Sequence, residues 1–326
     1  MTDAKAPTGF YLHPAASLHD TGWNHPEHQG RLRALASTVG KDMLALHGHV
    51  EQQESPDATV DDLLLVHTPE HVRHVRDMCN SSDVQQKVLP LDPDTWVSPA
   101  SWGAALGSVG ASIAAVDAVA DGRLSAAFVA ARPPGHHATP RRPMGFCLFN
   151  NVAVAARHLQ ATGRGERVLI VDWDVHHGNG TQDAFYEDPS VFYLSLHQAP
   201  WFPGTGGVHE RGTGAGQGAT LNVPLPAGTP REAYLAQFRD ALDRALDFAA
   251  PDFILVSSGF DALAGDPLGR MLLEPEDFHR MAATVREIAA EVCGGRVVAV
   301  LEGGYDPPRL GQAADAVLRA LAGLGT

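Results

Sequence analysis

The run Arg167-Val-Leu-Ile-Val171 is followed at once by Asp172-Trp-Asp174-Val-His176-His177-Gly-Asn179-Gly180. The apolar run shows no alternation with polar residues, as expected of a strand covered on both faces. A polar loop at its carboxyl end lies where open α/β sheets bind ligands. Segments 126–130, 191–196, 220–223, 253–257 and 296–301 read as strands of the same kind. Helical patterns lie between them, at about 150–161, 180–185, 230–249, 274–293 and 307–324. Upstream are a long Ala-rich helix at 99–120 and a shorter one at 69–80. This alternation predicts an α/β fold, with a mostly parallel central sheet and helices on both faces, in a single domain over residues 1–326.

Composition narrows the function. The 326 residues carry 24 Lys+Arg against 38 Asp+Glu, a net charge of −14, and 44% hydrophobic residues. That is a globular chain. No stretch approaches the roughly 18–20 apolar residues of a membrane span, and the start, MTDAKAPTGF, lacks the regions of a signal peptide. Three scattered cysteines, Cys79, Cys147 and Cys293, exclude a disulfide framework and point to a reducing, cytoplasmic setting. The acidic balance and the near absence of lysine disfavour nucleic acid as a ligand. Histidine stands out: 17 is many for this length, and imidazole is both a metal ligand and an acid/base near neutral pH.

Polar loops follow four of the strands. They are Arg-Pro-Pro-Gly-His136-His137, Asp172 to Gly180, Ser258-Gly-Phe-Asp261, and Glu302-Gly303-Gly304-Tyr305. On an extended segment Asp174 and His176 would point the same way, with Asp261 arriving from another strand. One His and two carboxylates leave positions open for water and a substrate oxygen, which suits a catalytic zinc ion. The competing reading makes these carboxylates helix N-caps. The His136-His137 pair can act as base and electrostatic partner if Asp172 and Asn179 orient the rings, or it can be a solvated loop feature. Tyr305, after a Gly pair that frees the backbone, can stabilise an oxyanion or be an ordinary core tyrosine. No Gly-x-Ser-x-Gly elbow, phosphate-binding P-loop, Cys-x-x-Cys or His-Glu-x-x-His is present, and the glycine run 212–218 misses the dinucleotide-binding spacing. Cys147 reads as a small apolar residue.

These motifs resemble the zinc-dependent histone deacetylase superfamily, which includes acetylpolyamine amidohydrolases. The resemblance runs from His25-Pro-Glu27 and Arg31, through Val66-His-Thr-Pro-Glu-His71, Gly145-Phe146-Cys147 and Trp201-Phe202-Pro-Gly-Thr205, to Gly265-Asp266-Pro267 and Leu301-Glu-Gly-Gly-Tyr305. The Asp-Trp-Asp-Val-His-His-Gly-Asn-Gly segment is similar to the class II branch and its bacterial relatives. The resemblance implies the arginase/deacetylase fold and a zinc-dependent amidohydrolase that removes an acyl group with metal-activated water. Asp174, His176 and Asp261 would hold zinc. His136 would pair with Asp172, and His137 with Asn179, a position that is Asp in class I relatives. Tyr305 would polarise the acyl carbonyl. Gly145, Phe146 and Phe202 would wall a narrow tunnel, Asp94 would lie at its rim, and Arg31 at an internal acetate-release path. Backbone carbonyls of Asp172, Asp174, His176, Ser195 and Leu196 would hold a structural potassium ion. Relatives are often dimers or tetramers, so a homo-oligomer is compatible.

The resemblance also bears on substrate. Polyamine-specific relatives tend to carry a carboxylate at the gate, where this chain has Leu268. An apolar gate fits a peptide or small acyl-amine, N-ε-acyl-lysine first, with acetylpolyamines as the alternative that the net charge of −14 favours. A metal-binding scaffold without catalysis is a remote alternative, since the His pair, Tyr305 and all three ligands are retained.

Overall fold

The central strands carry apolar side chains on both faces, and the chain covers both. The computed structural model describes residues 6–326. In chain order the elements are β1 (Thr8–Tyr11), α1 (Gly30–Lys41), α2 (Met43–Leu46), β2 (Val50–Gln53), α3 (Val60–Leu63), α4 (Pro69–Gln85), β3 (Leu89–Pro90), β4 (Trp96–Val97), α5 (Ser101–Ala120) and β5 (Ala126–Val129). They continue with α6 (Asn151–Ala161), β6 (Val168–Asp172), α7 (Asn179–Phe185), β7 (Val191–Gln198), β8 (Thr220–Leu225), α8 (Arg231–Ala249), β9 (Phe253–Ser258), α9 (Pro275–Val292), β10 (Val297–Leu301) and α10 (Pro307–Ala322). The main sheet has eight strands in the order β2-β1-β5-β10-β9-β6-β7-β8. Every pairing in it is parallel. The β3–β4 ribbon stands apart and is antiparallel.

Alternate residues of one strand feed opposite cores. Phe128, Leu169, Val171, Leu194 and Val256 meet α1, α8, α9 and α10. Val129, Ile170, Tyr193 and Leu255 meet α5, α6 and α7 on the other face. The expected fold class is observed, and the sheet is parallel throughout rather than mostly so.

Seven elements in the first hundred residues have no counterpart in the sequence reading: β1, α1, α2, β2, α3, β3 and β4. The reason is physical. β2, Val-Glu-Gln-Gln, is an edge strand with its middle residues exposed, so it lacks the apolar run that marked the others. A second correction concerns α5. By length and composition it can cross a membrane, against the expectation that no segment would. It is mostly buried, because its Gly, Ala and Ser faces let the sheet, α4 and α6 pack closely around it.

Candidate active site

β5, β10, β9 and β6 are consecutive neighbours in the sheet. The four polar loops after them therefore open at one edge, and the predicted residues converge there. His176 Nδ1 lies 3.1 Å from Asp174 Oδ1 and 3.1 Å from Asp261 Oδ2. The three ligand atoms fall within 4.8 Å of one another, and all three residues are buried.

The local cause differs from the extended segment expected. The backbone after Asp172 bends, and each carboxylate accepts an N–H two residues on: Asp172 Oδ1 from Asp174 at 3.1 Å and Asp174 Oδ1 from His176 at 2.9 Å. These are Asx turns, and they swing Asp174 and His176 to the same side. The N-cap reading fails, because α7 starts after Gly178 with no side-chain cap. The outer oxygens are anchored as well. Asp174 Oδ2 accepts Gly303 N–H at 2.8 Å and Asp261 Oδ1 accepts Val175 N–H at 2.8 Å. A Cβ on Gly303 would stand 2.1 Å from Asp261 Oδ2, so a side chain there would displace the carboxylate.

The electrostatics favour a cation. Burial disfavours a charged His176 ring, but the Asp174 and Asp261 carboxylates outweigh it and raise the ring to about 10. Burial and the neighbouring Asp174 push Asp261 up. Two buried carboxylates and one imidazole, with outer oxygens tied back, form a donor set that fits one divalent ion with open positions.

The adjacent histidines are split. Their ring centroids are 4.0 Å apart. His136 Nδ1–H donates to Asp172 Oδ2 at 3.0 Å, an oxygen that also accepts the Tyr193 hydroxyl at 2.9 Å. Burial opposes charge on His136, yet the Asp174 and Asp172 carboxylates raise it to about 10. His137 Nδ1–H donates to the neutral Asn179 Oδ1 at 2.8 Å. Burial, then the positive His136 and His176, drive it well below its ordinary value. One ring is a held cation and the other a neutral base, the separation that acid/base assignments require.

A cavity of about 230 Å³ opens onto this cluster. Its lining includes His137, His176 and Tyr305 together with Gly145, Phe146, Phe202, Leu268 and Asp94, as expected, and also Trp201 and Pro267. Phe202 packs edge-on against His137 at 5.2 Å and Phe146 against Tyr305 at 5.8 Å. Asp94 Oδ1 accepts Gly145 N–H at 3.0 Å. Burial above all keeps the Tyr305 phenol protonated, well above its ordinary value, so it stands ready as a donor.

Arg31 lies inside the fold, behind this cavity. It does not line this cavity. It is fully buried, bonded to Glu27 Oε1 at 2.9 Å and to the carbonyl oxygens of Gly304 (2.6 Å) and Glu302 (2.5 Å). Its guanidinium sits 5.0 Å from the Tyr305 ring centroid, so it props the Tyr305 loop rather than facing the pocket. Its burial follows from that pairing with Glu27, which motif spacing does not reveal. Ser195 stands in register with Asp172 across β6–β7, with Leu196 next to it. Two residues given no role from sequence belong to the site: Glu302, whose Oε2 accepts the N–H groups of Gly135 (2.6 Å) and His136 (3.1 Å), and Tyr193. Glu302 was visible in its motif, but only the fold shows what it holds.

A polar, metal-type site at the carboxyl edge of a parallel sheet is a place for metal-assisted chemistry, and the comparisons narrow it. The histone deacetylase domain model matches residues 25–321. A rice (Oryza sativa subsp. japonica) protein named histone deacetylase 10, chloroplastic, is 42% identical over 309 residues, 92% of this chain and 70% of its own length. The histone deacetylase-like amidohydrolase of Pseudomonas aeruginosa is 38% identical over 98% of this chain and 81% of its own. The crystal structure of the HDA15 HD domain superimposes with a TM-score of 0.90 at 36% identity, covering 99% of this chain and 90% of that one. The chain belongs to the histone deacetylase family.

Proposed function

We propose that this protein is a zinc-dependent deacylase of N-ε-acyl-lysine. The observation that carries the reading is one cavity whose wall brings His176, His137 and Tyr305 together, with Asp174 and Asp261 against the His176 ring and the His136 ring centroid 4.0 Å from that of His137. Zinc held by the trio supplies Lewis acidity toward the acyl carbonyl and the attacking water. The protein's own groups do the rest. His137, neutral and with Nε2 unprotonated, takes the proton from water as the oxygen attacks the carbonyl carbon. Tyr305 donates its hydroxyl hydrogen bond to the carbonyl oxygen as negative charge develops there. Protonated His136 balances that charge, and the proton passes to the leaving amine as the C–N bond breaks. A carboxylate and an ammonium result, the second proton of the attacking water also ending on the amine.

Gly145, Phe146 and Phe202 offer apolar walls to a lysine's methylene stem, and Leu268 gives no carboxylate to the second ammonium of a polyamine. Potassium is proposed on the carbonyls of Asp172, Asp174, His176, Ser195 and Leu196. Those of Asp174 and His176 accept no hydrogen bond among the described residues, which fits a cation there. The test is turnover of an acetyl-lysine peptide beside N-acetylputrescine and N-acetylspermidine. Preference for the peptide, abolished in Asp261→Ala, supports the reading. Activity confined to the polyamines moves the protein to the acetylpolyamine alternative, and no turnover on any of them removes the catalytic reading.

A further inference from the structure

Tyr305 follows Gly304, whose φ of +115 is open only to glycine. The backbone ahead of Tyr305 is held by Asp174 at the Gly303 N–H and by Arg31 at the Gly304 carbonyl, which leaves the Tyr305 N–H itself to be anchored. Among the described residues Tyr305 makes one hydrogen bond, from its N–H to Asp266 Oδ2 at 2.7 Å. The other oxygen, Asp266 Oδ1, accepts the N–H of Leu268 at 2.8 Å. Asp266 is 5% exposed and is absent from the cavity wall, whereas both of its partners line that wall. One buried carboxylate thus ties two loops together, one carrying the carbonyl-polarising phenol and the other the gate. The gate is held from its far side too: Leu268 C=O accepts Trp201 Nε1–H at 2.8 Å, and Arg270 lies 5.1 Å over the Trp201 ring.

We propose that Asp266 is a positioning residue that couples the setting of Leu268 to the aim of Tyr305, so that what the gate contacts alters how well the carbonyl is polarised. The inference rests on the deacylase reading above. The carboxylate is suited to the task because it accepts both N–H groups at once. An asparagine of the same size offers one carbonyl oxygen and turns an NH₂ toward the other donor. A shift of the phenol by about 1 Å costs up to roughly a hundredfold in rate.

The experiment is a double-mutant cycle on the full chain, with kcat and KM for an acetyl-lysine peptide measured in the wild type, Asp266→Ala, Tyr305→Phe and the double variant. Alone, Asp266→Ala is expected to lower kcat by about ten- to a hundredfold and to raise KM. In the Tyr305→Phe background the kcat loss should vanish while the KM rise persists, because only the phenol's aim passes through Tyr305. Equal factors in both backgrounds, or wild-type kcat in Asp266→Ala, overturn the coupling. If Asp266→Ala does not fold, Asp266→Asn replaces it with the same pattern expected at smaller amplitude. A wild-type protein inactive on every acylated amine removes the deacylase reading and the coupling with it. An active wild type with equal factors removes the coupling alone.

Discussion

Two buried charge clusters flank Tyr305, and they are built on opposite principles. Behind the ring, Glu27 Oε1 accepts Arg31 Nη1–H at 2.9 Å and Arg132 Nε–H at 2.6 Å, with all three side chains at zero exposure. Burial pushes the Glu27 carboxyl up, but Arg132 and Arg31 outweigh it and hold it at about 2. One carboxylate here faces two guanidiniums, whose other N–H groups donate to the main-chain oxygens of Ala16, His19, Glu302 and Gly304. In front of the ring, Asp174, His176 and Asp261 crowd two carboxylates around one imidazole, and the carboxylates turn that ring into a cation. The first cluster has an excess of positive charge turned onto the backbone, away from the cavity wall, and carries structure. The second is an excess of negative charge aimed at a cavity, and carries function. A buried charge group therefore reads as a candidate metal site when its excess is negative and one of its members lines a cavity, not merely because it is buried and charged.

The largest expected effect falls on the cluster behind the ring. Glu27→Gln leaves two buried guanidinium groups without a counterion and should cost about 3–5 kcal/mol of stability, read by chemical denaturation. Because the folded Glu27 pKa lies below its ordinary 4.5, its contribution is present above pH 4.5 and is lost as pH falls toward 2. The variant should flatten the acid limb of the stability profile over that window. An unchanged limb would mean that Glu27 does not hold the two guanidiniums.

On the functional side, Tyr305→Phe keeps the ring and removes the donor. Its kcat should fall about 10²–10³-fold, the scale of deleting one oxyanion donor, with the melting temperature little changed. Wild-type turnover in that variant would sink the assigned role. The smallest effect concerns the gate. Leu268→Glu places an exposed carboxylate at the mouth, which is worth up to about 1 kcal/mol to a second ammonium. The ratio of polyamine to peptide kcat/KM should rise by up to about fivefold, and a ratio that does not move would mean the gate does not discriminate by charge.

Much of this contrast was legible in the sequence. The strands buried on both faces showed as unbroken apolar runs, and the loops after β5, β6, β9 and β10 showed as polar bursts at their ends. The zinc-type trio, the His pair with its orienters and Tyr305 could be named from them and are brought together in the fold. What escaped has physical reasons. β2 is a polar edge strand, so periodicity is silent there. The convergence of Asp174 and His176 comes from side-chain-to-backbone turns, which mimic in spacing the alternation of an extended strand. Arg31 and Asp266 act on backbone groups far away in sequence, at Gly304, Glu302 and Tyr305. No local pattern encodes a bond to a distant main-chain atom.

The central claim is that the Asp174–His176–Asp261 cluster is a metal site on which turnover depends. The most direct measurement is the metal content of the purified protein together with its turnover of an acetyl-lysine peptide, before chelation, after chelation and after zinc is restored. The account predicts about one divalent ion per chain, activity that disappears with the ion, and recovery on adding zinc. A chelated, metal-free protein that hydrolyses the peptide at the original rate would contradict it.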